Sequence, residues 1–194
     1  RVLSLLTGGG GNYNYWHWLF DVLPRIFIFS SHSDLNKVDY FLLPNLEENF
    51  QKESIKILNL PFKKCLSSKY YRHFSANEVI ATQHPYNFLN EPLEDSLNIP
   101  SWISSNLKEK FNLKGDNKKN NFPRKFYIDR SDAKSDHAKM RTISNENDVI
   151  KFLRSNKFSI IKLSDFSFTD QIRLFNQAEC VVGLHGAGFA NMIF

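Results

Sequence analysis

The eleven residues Val181-Val182-Gly183-Leu184-His185-Gly186-Ala187-Gly188-Phe189-Ala190-Asn191 constrain the fold more than any other stretch. An apolar strand runs into a glycine-broken turn, and the turn is expected to open a helix. A strand feeding a helix through a tight turn is the building unit of layered α/β sheets. A histidine stands at the bend. Backbone N–H groups at such a turn point toward one spot, and a titratable donor beside them suits a phosphate. The spacing is neither G-x-G-x-x-G nor a P-loop, because no Lys-Ser/Thr follows.

The rest of the chain repeats the alternation. Residues 2–6 read as a strand closed by Gly8 to Gly11, and a helix is expected over residues 12–30. Strands follow at 39–43, 55–58 and 79–81, with a short helix at 47–52. Residues 100–112 place Trp102, Ile103, Leu107 and Phe111 along one helical side. The polar, breaker-rich run KGDNKKNN at 114–121 reads as a linker. Beyond it come a strand at 125–128, a helix capped by Ser144, a strand at 159–163, a helix capped by Ser167 and a strand at 180–182. Cys180, opening that last strand, reads as a core residue. The alternation predicts an α/β protein with mainly parallel sheets, divided into a domain at 1–115 and a second at 122–194.

The net charge of +5 is mild and spread along the chain, which fits anionic small ligands or peripheral association with a membrane surface rather than nucleic acid. Lys118, Lys119, Arg124 and Lys125, the densest basic cluster, read as a solvated linker. Two cysteines without ligand spacing predict neither a zinc site nor a disulfide framework. No metal is expected, and no apolar run approaches the length of a membrane span.

Chemistry concentrates in three places. At about 100° per residue, Asn14, His17, Asp21 and Arg25 share one stripe of roughly 80° on a helix that is otherwise large and apolar. A buried ionisable stripe must be paired or must line a cavity. His17 and Asp21, at i,i+4 spacing, are candidate catalytic residues: the carboxylate orients the imidazole, or either group takes a proton from a substrate hydroxyl. Pro24 adds a local break in that helix. The second place is the end of the 125–128 strand, where Arg130, Ser131 and Lys134 suit a diphosphate or a sugar, with Arg141 further along. The third is the turn itself, where His185, Gly186, Ala187, Gly188 and Asn191 complete the expected phosphate site. Histidines 32, 73, 84 and 137 show no partner at useful spacing.

Together, three blocks resemble glycosyltransferase family 61: an N-Y-x-H-W-L-x-D-x-L-P-R-like block at 14–25, a Y-I-x-R-x-D-A-x-x-R-like block matched at 127–134, and a G-x-H-G-A-G-hydrophobic-x-N-like block at 183–191. The F-x-D-Q-I-x-L-F helix at 168–175 falls in the expected order. One departure is that Asp136 to Met140 intervene before Arg141. The resemblance implies a GT-B-like architecture of two Rossmann-like α/β/α halves facing a cleft, the first on the acceptor side and the second binding the donor. The family continues beyond the last residue here, so the second half is expected to be incomplete at its carboxyl end. The implied activity is inverting, metal-independent transfer of a sugar from a nucleotide-sugar, commonly a UDP-sugar, to a glycan, glycolipid or other hydroxyl acceptor. Bacterial relatives resemble capsular-polysaccharide enzymes of the cytoplasm and its membrane; eukaryotic ones act in the ER and Golgi lumen.

Such a transfer needs a base for the acceptor hydroxyl and stabilisation of the leaving diphosphate. Asp21 is the favoured base and His17 its alternative, with Asn14 and Arg25 beside them on the acceptor side. Arg130, Ser131, Lys134, Arg141, His185, Gly186, Ala187, Gly188 and Asn191 are expected on the donor side. The nucleotide-sugar is substrate, and no cofactor is expected. Two other readings fit the same residues: a degenerate, non-catalytic nucleotide- or glycan-binding module, and a phosphoester hydrolase using His17 and His185.

Overall fold

The computed structural model describes residues 1–8, 10–86, 98–112, 121–132 and 141–194. The chain divides into two compact units, one built from Arg1–Asn112 and the other from Leu113–Met192. Each is a small parallel sheet covered by helices.

The first unit carries β1 (Val2–Ser4), β2 (Tyr40–Leu43), β3 (Cys65–Ser67) and β4 (Val79–Ala81) in the order β3-β2-β1-β4. All neighbouring strands are parallel, with Leu3 beside both Phe41 and Ile80. Val2, Leu3, Phe41, Leu42 and Leu43 are buried, which is the continuous apolar pattern of a strand covered on both faces. Between β1 and β2 the chain forms α1 (Tyr15–His17), a π-helical turn (Trp18–Val22) and α2 (Leu23–His32). The single helix expected over 12–30 is thus a composite. The break expected at Pro24 takes the form of a π turn just before it, and Pro24 falls in the first turn of α2, where a missing N–H costs least. Trp18, Leu19, Val22 and Leu23 are fully buried, and Trp18 Nε1 donates to Ser54 Oγ at 2.8 Å.

The strand expected at 55–58 is instead the end of α3 (Asn49–Ile57). A four-residue apolar run does not distinguish the two states by itself. The flanks decide: Glu48 N–H donates to the Gln51 side chain at 3.0 Å to start the helix, Gln51, Ser54 and Ile55 fall on its buried face, and Asn59 ends it at φ 55. The third strand is β3, which follows a one-turn 3-10 segment and carries only half-buried side chains. In the same unit, α4 (Ser101–Lys110) buries Ile103 and Leu107, with Phe111 just beyond its end.

The second unit carries β5 (Lys125–Ile128), β6 (Ser159–Ile161) and β7 (Cys180–Gly183) in the parallel order β6-β5-β7. Its helices are α5 (Glu146–Ser155) and α6 (Phe168–Asn176). Phe126, Ile128, Leu163, Leu174 and Phe175 form the core, with the Phe126 and Phe175 rings edge to face at 5.3 Å. Ser167 caps α6, its hydroxyl accepting from Asp170 N–H at 3.1 Å. Ser144 does not cap α5; Asn145 stands at that position without a side-chain capping bond. Cys180 is exposed rather than in the core, because the first residue of β7 lies at the sheet's open end. The helix expected after the glycine turn is a 3-10 segment, Ala187–Ile193.

Candidate active site

In each unit, a polar cluster gathers at the carboxyl ends of two neighbouring strands where the strand order switches direction. In the first unit these are β1 and β4; in the second, β5 and β7. Open parallel α/β sheets bind ligands at that place, because the two crossover connections diverge there and leave a crevice.

The first cluster is built on the loop and helix that follow β1. Asn14 adopts extended backbone and its side-chain oxygen accepts from Trp16 N–H at 2.9 Å and His17 N–H at 3.4 Å, so it starts α1. One turn on, His17 Nδ1 lies 2.6 Å from Asp21 Oδ2. A carboxylate oxygen accepts, so Nδ1 carries the hydrogen and the free lone pair of neutral His17 is on Nε2. The Asp21 side chain is 8% exposed and that of His17 37%, so the imidazole faces solvent while its carboxylate partner does not. The hydrogen bond to Asp21 raises the His17 pKa above its ordinary value, partly offset by burial.

Two groups that sequence reasoning did not select complete this cluster. Tyr86, five residues past β4, is 6% exposed and donates its phenolic hydrogen to Asp21 Oδ1. Its ring packs edge-on against Trp16 at 6.1 Å and His84 at 4.7 Å, and its N–H donates to His84 Nδ1 at 3.3 Å. His84, read from sequence as lacking a partner, therefore has one. Thr82 is the second group: its carbonyl accepts from Arg25 Nη1 at 3.0 Å. No local pattern marks Tyr86 or Thr82; only their position after a strand could have found them. Arg25 is 8% exposed and gives its Nε to the Asp21 carbonyl at 3.1 Å, not to the carboxylate. The expected stripe is brought together, but Asn14 and Arg25 spend their polar atoms holding the turn that carries His17 and Asp21.

The glycine loop fits closely around this turn. A Cβ on Gly10 would stand 2.9 Å from the His17 ring, and one on Gly11 would stand 2.6 Å from Val22. Gln51, completely buried, ties the loop down by donating to the carbonyls of Gly11 at 3.2 Å and Asn12 at 2.9 Å.

The second cluster joins the ends of β5 and β7. Arg130 donates to the His185 carbonyl, and Arg141 Nη1 lies 3.0 Å from His185 Nδ1 and 3.4 Å from the same carbonyl. Arginine only donates, so Nδ1 of His185 accepts and Nε2 carries the hydrogen. Two guanidinium groups and one imidazole N–H thus converge on an exposed turn. Gly186 is extended at φ 177, so it is needed for space rather than for its dihedrals: a Cβ there would come 3.1 Å from the Arg130 guanidinium carbon. Gly188 is needed likewise, since its Cβ would lie 2.5 Å from Leu163. The seven-residue 3-10 segment that follows is short, so the cations, not a helix dipole, dominate the local field.

The remaining expected donor-side residues divide. Ser131 is exposed in an Asx turn, its N–H donating to Asp129 Oδ1 at 2.8 Å. Ala187 opens the 3-10 segment. Asn191 is completely buried, and its amide donates to Gly188 O at 3.1 Å and Gln171 Oε1 at 3.0 Å, so it fastens the turn to α6. Lys134 lies outside the described residues. Among the described residues, no three His, Cys, Asp or Glu side chains group as metal ligands, and no helix is long and apolar enough to cross a membrane.

Comparison with known proteins places this arrangement. No curated protein and no solved structure matches the chain. The family model described as Glycosyltransferase 61 matches residues 15–194, from the first turn of α1 through both clusters to the last residue. The family is one of sugar-transferring enzymes, which work with a sugar donor and a glycan acceptor. The chain belongs to glycosyltransferase family 61.

Proposed function

We propose that the chain catalyses inverting, metal-independent transfer of a sugar from a UDP-sugar to a glycan hydroxyl, with His17 as the base. The observation that carries this reading is the His17–Asp21 pair, in which a buried carboxylate 2.6 Å away orients a half-exposed imidazole. From the residues alone, Asp21 is the favoured base. Its burial and the two side-chain donors on its oxygens leave an acceptor hydroxyl no approach to it, whereas the His17 side chain is 37% exposed.

The acceptor oxygen attacks the anomeric carbon as its proton passes to His17 Nε2. The bond from that carbon to the diphosphate oxygen breaks, and its electron pair leaves on the diphosphate. Charge develops in two places. The imidazolium is stabilised by Asp21, an arrangement like that of other oriented histidine bases. The diphosphate is stabilised by Arg130, Arg141 and the Nε2–H of His185, a preorganised cationic set of the kind that otherwise calls for a metal ion. Inversion follows from a single displacement. In this reading the first unit serves the acceptor and the second binds the donor, which the His17–Asp21 pair in one and the Arg130, Arg141 and His185 cluster in the other support. Synthesis of a surface polysaccharide, such as a capsule, is a fitting process.

The test is a screen of UDP-sugars against glycan acceptors with EDTA present, the product's anomeric configuration read by NMR. Transfer with inversion, lost in His17→Gln while UDP binding persists, is the expected result. Transfer that requires a divalent cation, or that survives His17→Gln, would overturn it.

A further inference from the structure

Asp21 has two carboxylate oxygens, and each meets a different side chain: Oδ2 faces His17 Nδ1 at 2.6 Å, and Oδ1 accepts from the Tyr86 hydroxyl. The carboxylate is thereby held at both oxygens, and the Asp21 backbone carbonyl accepts from Arg25. The three groups come from two separate parts of the unit: His17 and Asp21 from the helical segment after β1, Tyr86 from the loop after β4.

We propose that Tyr86 is a positioning residue for the transfer reaction: by donating to Oδ1, its phenol fixes the carboxylate plane so that Oδ2 stays on Nδ1 of His17 and the imidazole keeps its orientation. This rests on the reading of His17 as the base. Without the phenol, a buried carboxylate with one unpaired oxygen is free to rotate about its terminal torsion and to take His17 with it. The phenol also draws off part of the carboxylate's charge. Its loss concentrates that charge on the imidazole and favours the imidazolium, which is the form that cannot act as a base. Among the described residues, the other charged or titratable groups that face this pair are Arg25, which bonds to the Asp21 carbonyl, and His84, whose ring packs 4.7 Å from that of Tyr86. Removing the Tyr86 hydroxyl alone leaves the Arg25 bond to the Asp21 carbonyl and the ring packing of His84 in place, although Tyr86 also acts electrostatically on Arg25.

Tyr86→Phe keeps the ring and its packing on Trp16 and His84. Two readouts apply to the full chain. The first is the NMR titration of His17 in histidine-labelled protein, the signal assigned by its disappearance in His17→Gln. The second is the pH profile of kcat, with the donor KM measured alongside. The expected result is an upward move of the His17 midpoint and an equal upward move of the acid limb of kcat. Donor KM should stay unchanged, and kcat at neutral pH should lose part of the about 10²–10⁴-fold that a general base contributes. An unmoved His17 midpoint, with only a lower melting temperature, would leave Tyr86 as packing and overturn the proposal. Full turnover in His17→Gln would instead remove the base itself, and the positioning role with it; this failure appears in a different variant and so is distinguishable from the first.

Discussion

Asp21 and His17 divide between them what a single exposed carboxylate could not do alone. The carboxylate is buried and keeps the proton on Nδ1; the imidazole reaches solvent and keeps its lone pair on Nε2. Asp21→Asn tests this division. An amide presents an N–H as readily as an oxygen, so the imidazole tautomer is no longer fixed, and turnover is expected to fall about 10²–10⁴-fold. The direction of the pH effect also follows. His17's pKa is raised by its bond to Asp21, so the acid limb of the wild-type profile stands above the ordinary histidine value, 6.5, and moves down toward it in Asp21→Asn. The linked stability has the matching sign. It is complete below the unfolded value and is lost as pH rises through the raised folded one. Kinetics across that window, with UDP binding as the control, check both statements.

The elements explain which parts of this were readable beforehand. Asn14, His17, Asp21 and Arg25 were legible as one stripe because helical periodicity survives an inserted π turn over so short a span. Their separate jobs were not, since nothing in their spacing says that Arg25 would choose the Asp21 carbonyl over its carboxylate. The strands β1, β2, β4, β5, β6 and β7 announce themselves as short apolar runs between breakers, whereas α3 does not, because its last turn carries the same kind of run. Tyr86 was invisible, since its contact with Asp21 bridges 65 residues and depends on β1 and β4 being neighbours. The glycine loop invites a paired comparison. Gly10→Ala pushes a Cβ against the His17 ring and is expected to lower kcat with little change in melting temperature. Gly11→Ala pushes against Val22, Thr7 and Pro44 and is expected to cost about 1–3 kcal/mol of stability, the usual range for overpacking. Thermal melts and steady-state rates of the two variants separate a catalytic glycine from a packing one.

At the scale of the whole chain, one arrangement is used twice: a parallel sheet whose central strand and one neighbour end in functional groups, His17 with Tyr86 in one unit and Arg130 with His185 in the other. Net charge of +5 and the diphosphate site proposed at Arg130, Arg141 and His185 lead to a prediction about the molecule's response to ligand. UDP should raise the melting temperature with or without magnesium, by about 2.7 kcal/mol of added stability at a hundredfold excess over Kd. The gain should shrink with added salt, as screening weakens contacts at an exposed site. A scan of UDP against ionic strength, in magnesium and in EDTA, checks it; an increase that appears only with magnesium would contradict the cationic account.

All three tryptophans, Trp16, Trp18 and Trp102, belong to the first unit, and the Trp16 ring stands edge-on 5.1 Å from the ring of His17. An imidazolium quenches a neighbouring indole far more than a neutral imidazole does. The enzyme therefore carries its own optical pH indicator: emission should brighten as pH rises through the raised His17 value, and the change should vanish in His17→Gln. The protonation state of His17, the proposed base, becomes a colourless, label-free signal that needs neither donor sugar nor acceptor.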